Sequence, residues 1–354
     1  LQYNAGDYYQ WNGGESERVF TSLQLYIPWK ILDADGDGRR EMMAVDAQRV
    51  RLFEAATEGS FPERLLWEQR DVWGGEAADL DGDGQTELFL RAGSSSFLQV
   101  FESAAADQLA EIAVLHNPGE GQNQLGQRQV IADFDGDGRG ELVAGDGDGD
   151  LFSYEQVADD AYRSRWHAAG LGDARIVGGG ADWDGDGRAE FAVARFFSDP
   201  FDLEARRWQI EVFSSAADNG FAAEWQVEIL GGQPGGSGIG QGDLDGDGMV
   251  EWALVTVPDI YVFRSTGPDA YEPIWHSAAR QTHRPLVGDW DADGNADLGF
   301  NGEGQVEVYA LDRTALAVEW PAGLVARPRD DTAIELGWQA VAGATGYRVF
   351  RAGE

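Results

Sequence analysis

A nine-residue pattern, D-x-D-x-D-G-x-x-E with Asp in place of Glu in the last copy, occurs six times in this chain and constrains its fold more than any other feature. The copies set acids at Asp33, Asp35, Asp37 and Glu41; at Asp79, Asp81, Asp83 and Glu87; at Asp133, Asp135, Asp137 and Glu141; at Asp182, Asp184, Asp186 and Glu190; at Asp243, Asp245, Asp247 and Glu251; and at Asp289, Asp291, Asp293 and Asp297. Four carboxylates so close together repel one another unless a multivalent cation lies between them. Hard oxygen donors, with no His or Cys among them, select calcium or magnesium over zinc or copper. Glycine at position six permits a sharp turn that brings the position-seven carbonyl inward as a further ligand, at Arg39, Gln85, Arg139, Arg188, Met249 and Asn295. A high oxygen count in a flexible loop favours calcium, so about six calcium ions are expected. Polar turns alone would account for one such loop, not for six at matched positions.

An EF-hand opens similarly, but it carries its last acid at position twelve and needs flanking helices. Here a short β-like run follows each loop instead, as in Met42–Val45, Leu142–Ala144 and Trp252–Val255. A second strand pattern ends in an aromatic at Phe53, Phe101, Tyr154, Phe213, Phe263 and Tyr309. The loops start 46, 54, 49, 61 and 46 residues apart. A period near 50 in an all-β pattern predicts the four-stranded antiparallel blades of a β-propeller. The residue before each loop is mostly small (Ala78, Ala132, Ala181, Gly242, Gly288), as crowding at a central axis requires. Position two is mostly bulky and apolar (Leu80, Phe134, Trp183, Leu244, Trp290), which suggests a plug beneath the loop.

The net charge of −37 follows largely from the loops, which hold 24 of the 63 acidic residues and leave 39 acids against 26 bases. That balance argues against nucleic acid or an anionic membrane as partner. The 13 Trp and 43% hydrophobic content exclude global disorder, and the absence of Cys excludes disulfides and thiol chemistry. No run approaches 18 apolar residues.

On these motifs, residues 1–320 resemble the FG-GAP/VCBS repeat family, which builds the seven-bladed propeller at the head of integrin α subunits and of many bacterial surface proteins. The resemblance implies calcium on one rim, stiffening the packing between blades, and ligand binding on surface loops elsewhere. It also implies seven blades, although only six metal motifs are present, so six is the alternative. Residues 1–23 look like the outer strands of an incomplete or closing blade. From 321 to 354 the texture resembles the start of a fibronectin type III module, with Trp338 and Tyr347 as its core pair. The rival reading makes 333–352 the inner strands of a closing blade.

Three of the four His (His116, His167, His276) fall 13 to 17 residues before the next loop, a repetition that suggests architecture; His283 lies outside the series. No nucleophile motif is present. Gly145–Asp150 has the composition of a tight hairpin. The chain is therefore expected to be a non-catalytic, calcium-stabilised adhesion, recognition or scaffold module of a larger secreted or cell-surface protein, with a protein or glycan ligand. The alternative is a polysaccharide-active, lyase-like enzyme on the same scaffold. Weak calcium loops need extracellular calcium levels, which places the protein outside the cell, its signal peptide removed or upstream.

Overall fold

Each of the six acidic loops joins two antiparallel strands in the computed structural model. The structure describes residues 6–11, 16–22, 325–330, 333–337 and 27–309, the last with breaks at 47, 58–61, 94–95, 106, 120–122, 172–173, 200–201, 231–237, 257–258, 279–284, 290–293 and 303–304. All described regular structure is β, and among the described residues no helix is long and apolar enough to cross a membrane.

Two N-terminal strands, β1 (Gly6–Trp11) and β2 (Ser16–Ser22), pair with each other. Blade one follows as β3 (Ile27–Leu32), β4 (Glu41–Asp46), β5 (Arg49–Ala55) and β6 (Pro62–Arg70). Blade two is β7 (Val72–Ala78), β8 (Glu87–Ala92), β9 (Phe97–Ala105) and β10 (Gln108–His116). Blade three is β11 (Leu125–Ala132), β12 (Glu141–Asp146), β13 (Leu151–Ala158) and β14 (Ala161–Ala168). Blade four is β15 (Ala174–Ala181), β16 (Glu190–Asp199), β17 (Asp202–Ala217) and β18 (Gly220–Leu230). Blade five is β19 (Gly238–Gly242), β20 (Glu251–Val255), β21 (Asp259–Gly267) and β22 (Ala270–Ala278). Blade six shows three strands, β23 (Leu286–Gly288), β24 (Asp297–Gly302) and β25 (Gln305–Tyr309). Each of these six blade sheets is an up-and-down meander with its acidic loop between the first two strands.

Register repeats with the sequence. The last acid of each loop sits opposite the residue just before that loop: Leu32 with Glu41, Ala78 with Glu87, Ala132 with Glu141, Ala181 with Glu190, Gly242 with Glu251 and Gly288 with Asp297. In five blades a bulge between strands three and four begins at the signature aromatic, at Phe53, Phe101, Tyr154, Phe213 and Phe263. Such bulges sharpen the twist that lets blades nest.

The core lies between blades. Met43, Leu52 and Leu88 join blades one and two, and Leu80, Phe89 and Phe152 join two and three. Phe134 and Phe191 join three and four, Trp183, Trp208 and Trp252 join four and five, and Leu244 and Leu298 join five and six. The plug residues are buried as the sequence suggested: Ala34, Phe134 and Trp183 are fully buried, Leu244 is 1% exposed and Leu80 2%. Inner strands meet closely. Gly180, at φ 96°, lies where a Cβ would fall 2.9 Å from the carbonyl oxygen of Ile131 on the preceding blade.

Among the described residues these sheets make a β-propeller of six blades, where seven were expected. The count exceeded the motif because the resemblance, not the residues, supplied the seventh blade. The C-terminal strands β26 (Val325–Asp330) and β27 (Ala333–Gly337) pair only with each other among the described residues. Neither a fibronectin-like sandwich nor a closing blade is formed by that hairpin alone. Trp338 and Tyr347 lie outside the described residues, as do His283 and Trp290.

Candidate metal centres

Each loop is folded by its own carboxylates. In the first, Gly36 and Gly38 adopt φ of 71° and 87°, and their N–H groups donate to Oδ1 and Oδ2 of Asp33 at 2.8 and 3.0 Å. Asp37 N–H donates to Asp35 at 3.2 Å, and Arg39 N–H to Asp37 at 2.8 Å. The same four bonds recur in the loops starting at Asp79, Asp133, Asp182 and Asp243. Glycine at positions four and six is needed because both take up left-handed backbone.

The final glutamate is the unusual member. Glu87, Glu141 and Glu190 are fully buried, and Glu41 and Glu251 are 1% exposed. In each, Oε2 accepts the position-two N–H at 2.6–2.8 Å. The other oxygen, Oε1 of Glu41, Glu87, Glu141 and Glu190, is buried without any hydrogen-bond partner. One ligand oxygen from each of Asp79, Asp81, Asp83 and Glu87 lies within 4.8 Å of the others, as do those of Asp133, Asp135, Asp137 and Glu141 and those of Asp182, Asp184, Asp186 and Glu190. Asp33, Asp35 and Asp37 converge likewise. Burial, with the loop aspartates adding to it, pushes the Glu87, Glu141 and Glu190 carboxyls up to about 8 and those of Glu41 and Glu251 up to about 7, against the pull of the backbone N–H. A buried carboxylate oxygen with nothing to bond is costly in a protein interior. It is the donor a hard divalent cation lacks once the aspartates have spent oxygens on the backbone, so the residues fit calcium.

Sequence reasoning did not find how the loops reach across blades. Position three gives its second oxygen to the following blade. Asp35 Oδ2 accepts the N–H of Asp107 at 2.6 Å, Asp81 that of Asp160 at 3.2 Å, Asp135 that of Asn219 at 2.7 Å and Asp184 that of Asp269 at 2.7 Å. All four donors sit in the tight turn between strands three and four, at φ of 63°, 55°, 53° and 54°. Asp and Asn tolerate that region better than other residues with a Cβ. Their recurrence at matched turns was the available signal. Loops also touch in series, with Ala189 N–H donating to the Asp133 carbonyl at 3.4 Å and Ala296 N–H to that of Asp243 at 2.9 Å.

The position-seven side chains have a separate role. Arg39 pairs with Glu54 and Arg139 with Glu155, each at 2.9 Å, while Arg188 donates to the Ser215 carbonyl. Met249 packs over Gly185, where a Cβ would meet its methyl at 3.0 Å. Of the sixth loop, Asp289 accepts the Gly294 N–H at 3.1 Å, Asn295 lies over Gly246 and Asp297 is 5% exposed. Asp291 and Asp293 lie outside the described residues.

Two of the three serial His share a single arrangement. His167 contacts Asp150 at 3.1 Å and stacks on Phe152 at 4.6 Å; His276 contacts Asp259 at 3.0 Å and stacks on Tyr261 at 4.6 Å. His116 differs, meeting Phe97 edge-on at 6.0 Å while its carbonyl accepts the Tyr154 hydroxyl at 2.9 Å. The Gly145–Asp150 run is a tight turn between β12 and β13. Asp146 Oδ1 there accepts the N–H groups of Asp148, Gly149 and Asp150 at 2.9–3.2 Å, with Gly149 at φ 96°.

Residues 33–90 match the family model for the FG-GAP-like repeat. No match is found among curated proteins. Solved structures similar to this chain include an Agrocybe aegerita lectin that recognises non-reducing terminal N-acetylglucosamine, at TM-score 0.52 and 16% identity, over 82% of this chain and 81% of the lectin. A Bacteroides fragilis protein provisionally assigned as a 6-phosphogluconolactonase is similar at TM-score 0.57 and 13% identity, over 87% of this chain and 86% of that one. Its Bacteroides uniformis counterpart gives 0.57 and 11%, over 88% and 89%. At these identities the likeness is one of fold.

Proposed function

The chain carries the FG-GAP-like repeat on a β-propeller, and from that premise we propose that it is a non-catalytic, calcium-stabilised recognition or scaffold module. In this reading it acts in adhesion within a larger secreted or cell-surface protein. The observation that carries it is the set of buried, partnerless Oε1 oxygens on Glu41, Glu87, Glu141 and Glu190. Such oxygens have no role in a turn that merely closes a hairpin, and calcium would supply the missing positive charge there. Asp33, Asp35, Asp37 and Glu41, with the equivalent acids of the other loops, would hold the ions.

The His contacts favour the same reading over an enzyme. Asp150–His167–Phe152 and Asp259–His276–Tyr261 repeat on two blades, as a strand-pinning device would and as a unique catalytic constellation would not. A glycan is the first ligand class to test, since a lectin shares the fold. The test is a glycan and cell-surface binding assay in millimolar calcium and in chelator. Binding that needs calcium, with no turnover of bound polysaccharide, supports the module; depolymerisation of the bound polysaccharide would replace it with the lyase reading.

A further inference from the structure

Arg91 breaks the repeat at a position where every other blade is uncharged. The fourth residue after the last loop acid is Val45, Gly145, Ala194 and Val255 in blades one, three, four and five, and Asn301 in blade six. In blade two it is Arg91, opposite the buried Leu98 of strand three. A residue that departs from a local rule without a compensating contact marks a place to look for function. Arg91 lacks that contact. Its Nε is buried without a partner, and its guanidinium makes no hydrogen bond or ion pair with any described residue. By contrast, Arg51 is matched with Glu68 and Asp46 at 2.8 and 3.1 Å, and Arg195 with Glu211 at 2.8 Å. A guanidinium keeps its charge, so withdrawing one from water without a carboxylate is costly, and this chain has 63 acids from which to supply one.

What Arg91 does touch is Trp73. The guanidinium lies over the indole, 5.3 Å from the ring centroid. Trp73 remains 42% exposed, the one exposed tryptophan among the described residues. The backbone displays it. Trp73 and Gly74 together oppose Arg91 in a β-bulge, since Val72 pairs with Ala92 and Gly75 with Leu90. Gly74 takes φ 88°, where a Cβ would meet Val45 of blade one at 3.2 Å, and the Gly75 carbonyl accepts the Trp29 Nε1–H at 2.8 Å. The bulge is thus clamped to blade one, and the backbone that carries the indole is set before any ligand arrives, which lowers the ordering cost of binding.

The pair defines the chemistry of a ligand. An unpaired guanidinium fork matches a carboxylate bidentately, and an exposed indole offers an apolar surface. A pyranose that carries a carboxylate satisfies both at once, with its C–H face on the indole and its acid on the fork. A glutamate or aspartate side chain satisfies the fork alone. The acidity of the chain does not prevent this, because Arg91 lies four residues along β8 from Glu87. That is roughly 13 Å from the loop, beyond the screening length of about 8 Å at physiological salt.

We propose that Trp73 and Arg91 form a recognition site for a uronic acid residue of an acidic glycan, beside the junction of blades one and two. This deepens the recognition reading above and rests on it. The test is titration calorimetry on the full chain, at physiological salt and in millimolar calcium, for wild type, Arg91→Val and Trp73→Ala. The probes are galacturonate, glucuronate and mannuronate hexasaccharides, their methyl esters, and hexaglutamate. Arg91→Val restores the residue of blades one and five, so it is expected to melt no lower than wild type; Trp73→Ala alters an exposed side chain and keeps the test open should the first variant disturb the fold. Wild type is expected to bind at least one uronate hexasaccharide and not its methyl ester, with affinity about tenfold or more lower in each variant. Uronate binding that both variants retain would overturn this site and leave glycan recognition standing. Binding of hexaglutamate in preference to every uronate, lost in Arg91→Val, would replace the sugar with an acidic peptide. No binding of any probe would overturn the site, while calcium-dependent binding to other glycans or to cell surfaces decides the broader reading separately.

Discussion

Asp135 Oδ2 accepts the backbone N–H of Asn219 at 2.7 Å, although 84 residues and a blade boundary separate them. The other oxygen of the same carboxylate accepts Asp137 N–H within its own loop at 3.1 Å. One side chain thus ties the folding of a candidate cation loop to the docking of the following blade, and Asp35, Asp81 and Asp184 repeat the tie.

Asp135→Ala should therefore loosen two blades. Loss of a charge-assisted, largely buried hydrogen bond costs about 1.5–3 kcal/mol. Hydrogen exchange should show faster exchange at residues 218–220 as well as in the loop at 133–141. Asn219→Gly keeps both the N–H and the left-handed backbone, so it should leave the loop protected. Unchanged exchange at 218–220 in Asp135→Ala would show that the bond carries no docking energy.

Ion loss should stay local even though docking is coupled. Asp184→Ala should lower bound calcium by one per chain, because blades interact chiefly with neighbours. Loss of every ion from this variant, with the sheets still folded by circular dichroism, would contradict the nearest-neighbour account.

Chelated protein should have an inverted pH profile. Glu87, Glu141 and Glu190 have folded-state pKa near 8, and Glu41 and Glu251 near 7, above an ordinary value of 4.5. Stability from their protonated forms is fully present below pH 4.5 and is lost as pH rises through 7 to 8. In chelator the melting temperature should fall between pH 5 and pH 8.5. In millimolar calcium it should not fall, since deprotonated carboxylates are the ligands. Parallel curves in the two conditions would show that these glutamates do not face the cations.

Trp183 stacks on Trp252 at 4.9 Å and donates from Nε1 to Gln241 at 2.9 Å, both on blade five. Trp183→Ala should cost about 3–5 kcal/mol. Denaturant unfolding checks it, and a loss under 1 kcal/mol would mean the plug does not bind the blades together.

The repeating parts of this fold were legible because identical physics recurs every 50 residues or so. The loops, the strand after each, the aromatic of strand three and the plugs at Leu80, Phe134, Trp183 and Leu244 all stand where the pattern put them. What the sequence hid depends on pairs distant along the chain. Nothing local marks Asn219 as the partner of Asp135. Blade number was misjudged for a different reason. The six motifs match the six blades among the described residues, and the seventh came from the resemblance, which carries no information on the angle at which these sheets pack.

The most direct test of the central claim is the melting temperature of the full chain at pH 7.5, in millimolar calcium and in excess chelator. Ligands bound only by the folded state stabilise it by mass action, and six sites multiply the effect. A calcium-dependent rise of well over 10 °C is predicted, reversed by chelator. Superimposable curves would contradict the assignment of Asp33 to Glu41 and its five counterparts as cation loops.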